Sequence, residues 1–123
     1  VALCVAARTV THMAQRLDLD LIRLDGCFID FEFEDESGNP IPRTYQNTFY
    51  VEFRDMPGGR IVCEPQVLVV PWLSNRVRIQ IDPRDTRNLE NCFWSLVQAQ
   101  TVQPFHRTTL VQGRVNVIEG ITR

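Results

Sequence analysis

Apolar and charged residues alternate one for one along residues 29–34, where Ile29, Phe31 and Phe33 are interleaved with Asp30, Glu32 and Glu34. A period of two is that of a strand with one buried face, and no helix can gather these three apolar residues on one side. The same alternation returns at Phe49, Val51 and Phe53 against Tyr50, Glu52 and Arg54, and again at Val77, Ile79 and Ile81 against Arg76, Arg78 and Gln80. The chain is therefore organised around a sheet.

Other stretches place further strands. From Leu19 onward Ile22 and Leu24 alternate with Arg23 and Asp25, and the apolar phase then switches from even to odd positions across Asp25-Gly26. Two arrangements fit: a tight hairpin closed by Asp-Gly, or a bulge at Gly26 inside one long strand. The few residues before Asp25 favour the bulge. Residues 34–42, with Ser, Gly, Asn and two prolines, read as a loop. Residues 43–55 and 60–72 read as strands joined by the turn Met56-Pro57-Gly58-Gly59. Val67 to Val70 is apolar on both faces and so expects cover on both sides, while Pro65 belongs at an edge or bulge. A last strand is expected over residues 108–119, irregular at Gly113.

Two helices are predicted as well. Leu3, Ala6, Ala7, Val10, Met13, Ala14 and Leu17 recur at steps of three and four, which predicts a helix over 1–18. Asp82 as N-cap, Pro83 at the first helical position and Asp85 in the first turn start a second. Its stripe would be Leu89, Cys92, Phe93, Leu96, Val97 and Gln100, ending before Pro104. The expected order is α-β-β-β-β-α-β. The expected fold is α+β, a two-layer sandwich with two helices on one face of a mostly antiparallel sheet, in a single domain, 1–123.

Composition narrows function mainly by exclusion. With a net charge of −2 the chain lacks the basic excess of a general nucleic-acid binder. No apolar run approaches the ~18 residues of a membrane span. The N-terminal stretch, with Arg8 and His12, does not read as a signal peptide. The expected location is intracellular or within an assembled particle. All 13 basic residues are arginine. Either codon bias accounts for this, or arginine is kept for forked pairing with carboxylates at subunit contacts.

Candidate chemistry is sparse. Cys4, Cys27, Cys63 and Cys92 form no C-x-x-C pair and match no zinc module. They read as buried free thiols, with disulfides open to a chain that meets an oxidising compartment. Asp30, Glu32 and Glu34 share a strand face but stand ~7 Å apart, too far for one cation. Arg76 and Arg78 on another strand are positioned to neutralise them, across the sheet or across a subunit boundary. His12 and His106 are the only histidines. Cys4 and His12 would lie ~12 Å apart along a helix, too far for a nucleophile pair. No metal or cofactor is expected.

ALCVAARTVTHMAQRLDLDLIRL resembles the cysteine-bearing helix and following strand of the OsmC/Ohr thiol-peroxidase family, and QTVQPFHRTTLVQGRVNV resembles that family's closing segment. The likeness covers a third of the chain and would set Cys4 at the family's first cysteine. Gln103 stands near the place of the second, and the strands that carry the family's arginine have no counterpart. What the resemblance implies is a thiol-dependent redox enzyme working through Cys4, with Cys92 as the other candidate nucleophile.

The favoured expectation is different: a non-enzymatic structural or interaction subunit of a larger protein assembly, such as a viral or phage particle. It would act as a homo-oligomer or as part of a hetero-assembly with other protein subunits. The residues expected at the interface are Val67, Val69, Trp72, Arg76, Arg78 and Trp94, the tryptophan because it falls off the helical stripe.

Overall fold

The computed structural model describes residues 2–10, 15–34, 37–39, 47–69, 75–100 and 107–120, and only the backbone at 2–10, Asn47 and Gln100. In chain order the elements are β1 (Ala2–Val10), β2 (Gln15–Arg16), β3 (Leu19–Ile22), β4 (Cys27–Phe33), β5 (Asn47–Arg54), β6 (Ile61–Cys63), β7 (Gln66–Val69), β8 (Arg76–Ile81), the one-turn helix α1 (Pro83–Thr86), β9 (Cys92–Gln100) and β10 (Arg107–Ile118). The fold is all-β. A four-stranded sheet runs β1-β4-β8-β7, and a six-stranded sheet runs β2-β10-β9-β5-β6 with β3 also on β10. β1 lies parallel to β4, and β2 and β3 lie parallel to β10. The remaining pairs among the described strands are antiparallel.

The alternating residues do what their period demands. Ile29, Phe31, Phe33, Val77, Ile79 and Ile81 from one sheet meet Phe49, Val51, Phe53, Trp94, Leu96 and Val115 from the other in one core. Phe31 and Trp94 rings touch across it at 5.9 Å, and Phe33 and Phe49 at 5.6 Å. Each fully buried side chain of this size contributes about 1.5–3 kcal/mol of transfer free energy. The molecule is thus a sandwich of two sheets, not helices laid on one sheet.

Both predicted long helices are overturned, for a shared reason. Residues 2–10 pair in parallel with β4, placing Ala2 opposite Cys27 and Val10 opposite Phe33. That stretch is apolar at nearly every position, so a step of four and a step of two fit it equally, and pairing with β4 decides. The second helix does begin where its caps say. Asp85 accepts the backbone N–H of Asp82 at 2.8 Å. It stops after one turn, because the Arg23 guanidinium donates to the carbonyls of Thr86 and Arg87 at 3.0 and 2.9 Å. Beyond it Cys92, Trp94 and Leu96 face the core on a two-residue period while Phe93 and Ser95 face outward, so this is β9.

Asp25-Gly26 is neither a hairpin nor a bulge. β3 belongs to the six-stranded sheet and β4 to the other, so the phase changes because the chain changes sheets. The residue with positive φ is Leu24 (67°), whose N–H is held by the Thr86 hydroxyl at 2.8 Å. Pro65 sits between β6 and β7, where the chain again crosses from one sheet to the other. The predicted strand 60–72 is therefore two short ones. The Met56–Gly59 turn does join β5 to β6 as an antiparallel hairpin, with the Gly59 N–H on the Met56 carbonyl at 2.8 Å. No helix among the described residues is long and apolar enough to cross a membrane.

Gly113 marks a close approach. β2 and β3 run along the same side of β10, and between them Leu17 folds directly over Gly113. A Cβ at that position would stand 2.0 Å from the Leu17 carbonyl oxygen. The Asp18 carboxylate then accepts the Arg114 N–H at 2.9 Å, and this hydrogen bond is the largest influence holding the Asp18 carboxyl below its ordinary value.

Candidate functional site

The outward phase of the six-stranded sheet gathers charge. Cross-strand register sets Arg114, Phe93 and Arg54 in one row and Gln112, Ser95 and Glu52 in the next. Val97 and Tyr50 are paired in the row beyond. Together with Arg16, Arg107 and the β5–β6 turn these residues line an open groove of ≈ 790 Å³. Among the described residues its lining holds four arginines and a single carboxylate.

Glu52 is the fixed point. Its side chain is only 11% exposed, and it accepts from Arg54 at 3.1 Å on one oxygen and from Arg107 at 3.1 Å on the other. Burial pushes the carboxyl upward, but the two arginine hydrogen bonds and charges outweigh it and hold Glu52 below its ordinary value. Arg54 is further tied to the Gly59 carbonyl at 2.5 Å. Arg107 lies over the Tyr50 ring at 5.8 Å, and Arg114 lies over the Phe93 ring at 6.0 Å. Arg114 makes no ion pair among the described residues, whereas Arg16 pairs with Asp18 at 3.4 Å. The lining presents guanidinium N–H donors, a chemistry suited to anions; it presents no nucleophile with an adjacent base among the described residues.

A second surface is the margin where β6 and β7 end their sheets. Ile61, Val62 and Val69 are exposed there at 36%, 40% and 43%. Val67 is half-buried against the core. Of the residues expected at an interface, Val67 and Val69 therefore lie on this margin, and the two-sided cover expected for Val67–Val70 is not found at Val69.

The others are placed elsewhere. Arg78 pairs with Asp30 through two hydrogen bonds of 2.7 and 3.0 Å, stacked on Phe28 at 5.0 Å, and Arg76 pairs with Glu32. Asp30 and Glu32 of the acidic strand face are thus neutralised across the sheet by the two arginines named from sequence. Trp94 is 2% exposed and belongs to the core, so its reading as a surface residue is corrected. Trp72, His12 and His106 lie outside the described residues, as does the side chain of Cys4.

Cys27 is disulfide-bonded, which corrects its reading as a free thiol, while Cys63 and Cys92 are free. Both free thiols line a second cleft beside α1. Burial pushes the Cys92 thiol up to about 11, and burial with the nearby Asp85 does the same to Cys63. A thiol so raised is protonated at neutral pH and a poor nucleophile, which weighs against Cys92 as a redox centre.

Sequence reasoning missed the groove. The outward phase of β5 (Tyr50, Glu52, Arg54) was legible, but Phe93 and Val97 were absorbed into a helical stripe. Without β9 as a strand, Arg54 and Arg114 have no reason to share a face.

No protein-family model matches the chain, and no curated protein sequence does. Among solved structures, the fold is similar to the N-terminal domain of phage TP901-1 ORF48, with a TM-score of 0.59, 8% identity, and coverage of 93% of this chain and 98% of that one. The solution structure of amebosin overlays with a TM-score of 0.41 at 14% identity, covering 91% of this chain and 98% of that one. At such identities the first likeness is one of fold.

Proposed function

We propose that the chain is a non-enzymatic subunit of a larger protein assembly, associating with further copies through the margin formed by β6 and β7. The observation that carries this reading is the exposure of Ile61 and Val62 on β6 and of Val69 on β7, two short edge strands that end different sheets. Edge strands invite pairing unless charge or proline blocks them. Among the described residues of these strands and their link, the one proline, Pro65, lies between the two strands and not within either. Val67 and Val69 are the interface residues on β7, and pairing along it would extend the four-stranded sheet.

A phage particle is the setting this reading favours. The support is the similarity of nearly the whole chain to the N-terminal domain of a phage protein. The test is native mass as a function of concentration, for the wild type and for Val69→Arg. A defined oligomer that Val69→Arg reduces to monomer is expected. A wild-type chain that stays monomeric at every concentration, or an oligomer indifferent to the substitution, overturns the reading.

A further inference from the structure

We propose that the arginine groove on the outer face of the six-stranded sheet is a second docking surface, and that its occupant is an extended, acidic segment of a partner protein. In a chain of net charge −2, four arginines and one carboxylate among the described residues line this groove. Glu52 shows what the arginines accept: a carboxylate set between Arg54 and Arg107, with one guanidinium on each oxygen. Arg114, one row along, has the same chemistry; its guanidinium is in no ion pair among the described residues, and the nearby Asp18 carboxylate is taken up by the Arg114 backbone N–H and by Arg16.

The aromatic floor prepares these groups. A guanidinium lying over a ring is held by cation–π attraction while the N–H groups at its edge stay available, the geometry that suits a planar carboxylate. Arg114 over Phe93 and Arg107 over Tyr50 are placed in this way. Rows of a sheet two residues apart are ~7 Å apart, which is also the spacing of alternate side chains in an extended peptide. A segment laid along β9 would thus bring every second side chain over a row. Ser95 and Gln112 supply neutral hydrogen-bonding groups between the charged ones.

A nucleic acid fits less well. Single-stranded binding needs open ring faces for bases, and here the guanidiniums lie over the rings. The chain as a whole is also negative, which opposes long-range attraction of a polyanion.

The test is an NMR titration of the isotope-labelled chain with a short peptide alternating glutamate and serine. The controls are its glutamine analogue and a single-stranded oligonucleotide of matched charge. Shift changes are expected at Ser95, Val97, Gln112 and Arg114 with the acidic peptide, diminishing as salt is added. Arg114→Ala, on an exposed side chain, should weaken binding about tenfold, the loss of one charge-assisted hydrogen bond. Glu52→Gln should strengthen it, by releasing Arg54 and Arg107. Equal binding of the glutamine peptide, no change on the outer face, or tighter binding of the oligonucleotide overturns the proposal. Each of these results is independent of whether Val69→Arg alters the oligomer.

Discussion

The indole N–H of Trp94 donates to the backbone carbonyl of Leu17 at 2.7 Å, across 77 residues of sequence. In register, Trp94 stands opposite Gly113, and the same Leu17 carbonyl closes over that glycine. Two strands and a link meet here. β9 supplies the donor, β10 supplies a residue without a side chain, and the link between β2 and β3 supplies the acceptor. The contact sets the end of the groove, because Arg16 precedes Leu17 and Arg114 follows Gly113.

Gly113→Ala is therefore expected to be costly. The new methyl group would meet the Leu17 carbonyl carbon at 2.6 Å as well as its oxygen, and backbone cannot swing aside as a flexible side chain can. A loss of about 1–3 kcal/mol follows, as for other overpacked sites. Trp94→Phe should cost about the same through the orphaned carbonyl. Chemical denaturation of the two variants measures both, and an unchanged midpoint for Gly113→Ala would mean that the crossover is not packed as described.

Glu52 gives the stability a defined pH dependence. Its carboxyl is held below its ordinary value of 4.5 in the folded chain. A depressed folded-state value means stability that is present above the unfolded value and lost as pH falls through the folded one. Wild type should therefore exceed Glu52→Gln at neutral pH, and the two curves should converge once the carboxyl is protonated. Urea midpoints across the acid range decide this; parallel curves would show that Arg54 and Arg107 do not stabilise the ionised form.

Three of the core strands, β4, β5 and β8, were legible because their inner residues alternate cleanly, although the two-sheet sandwich they build was not read. Ile29 to Phe33, Phe49 to Phe53 and Val77 to Ile81 each carry a pattern that one period alone explains. The misreadings fall where two periods fit. In Cys92-Phe93-Trp94-Ser95-Leu96-Val97, apolar residues occupy both strand faces, since the outward ones floor a groove. A helical stripe can then be drawn through them. The same ambiguity affected residues 2–10. The groove was illegible for a further reason: its arginines come from β2, β5 and β10, and only the sheet order brings Arg16, Arg54, Arg107 and Arg114 to one face. By contrast the pairing of Asp30 and Glu32 with Arg78 and Arg76 was readable, because each pair comes from two cleanly alternating strands.

That pairing predicts an asymmetry. Asp30 is 6% exposed, while the Arg78 side chain is 41% exposed. Arg78→Ala leaves a shielded carboxylate without its two donors and should cost about 1.5–3 kcal/mol, the range for hydrogen bonds to charged groups. Asp30→Asn leaves a guanidinium that water can reach and should cost less. Thermal melts of the two variants compare them directly; an equal or reversed order would mean that Asp30 is better solvated than its position implies.

The cysteines offer a prediction that also separates an assembly subunit from a thiol enzyme. Cys27 is in a disulfide, and Cys63 and Cys92 are free. Denatured without reductant, the chain should expose Cys63 and Cys92 to a thiol reagent while Cys27 stays protected, and Cys27 should react only after reduction. In the folded protein both free thiols are pushed up to about 11, so little thiolate exists at neutral pH. Modification by a thiol reagent should be slow there and accelerate as pH rises, since only the thiolate attacks. The expected order follows burial: Cys63, half-buried, reacts before Cys92, which is buried. A fast-reacting thiol at neutral pH in the native chain would point to an activated cysteine, and would move the balance toward redox chemistry and away from a docking role.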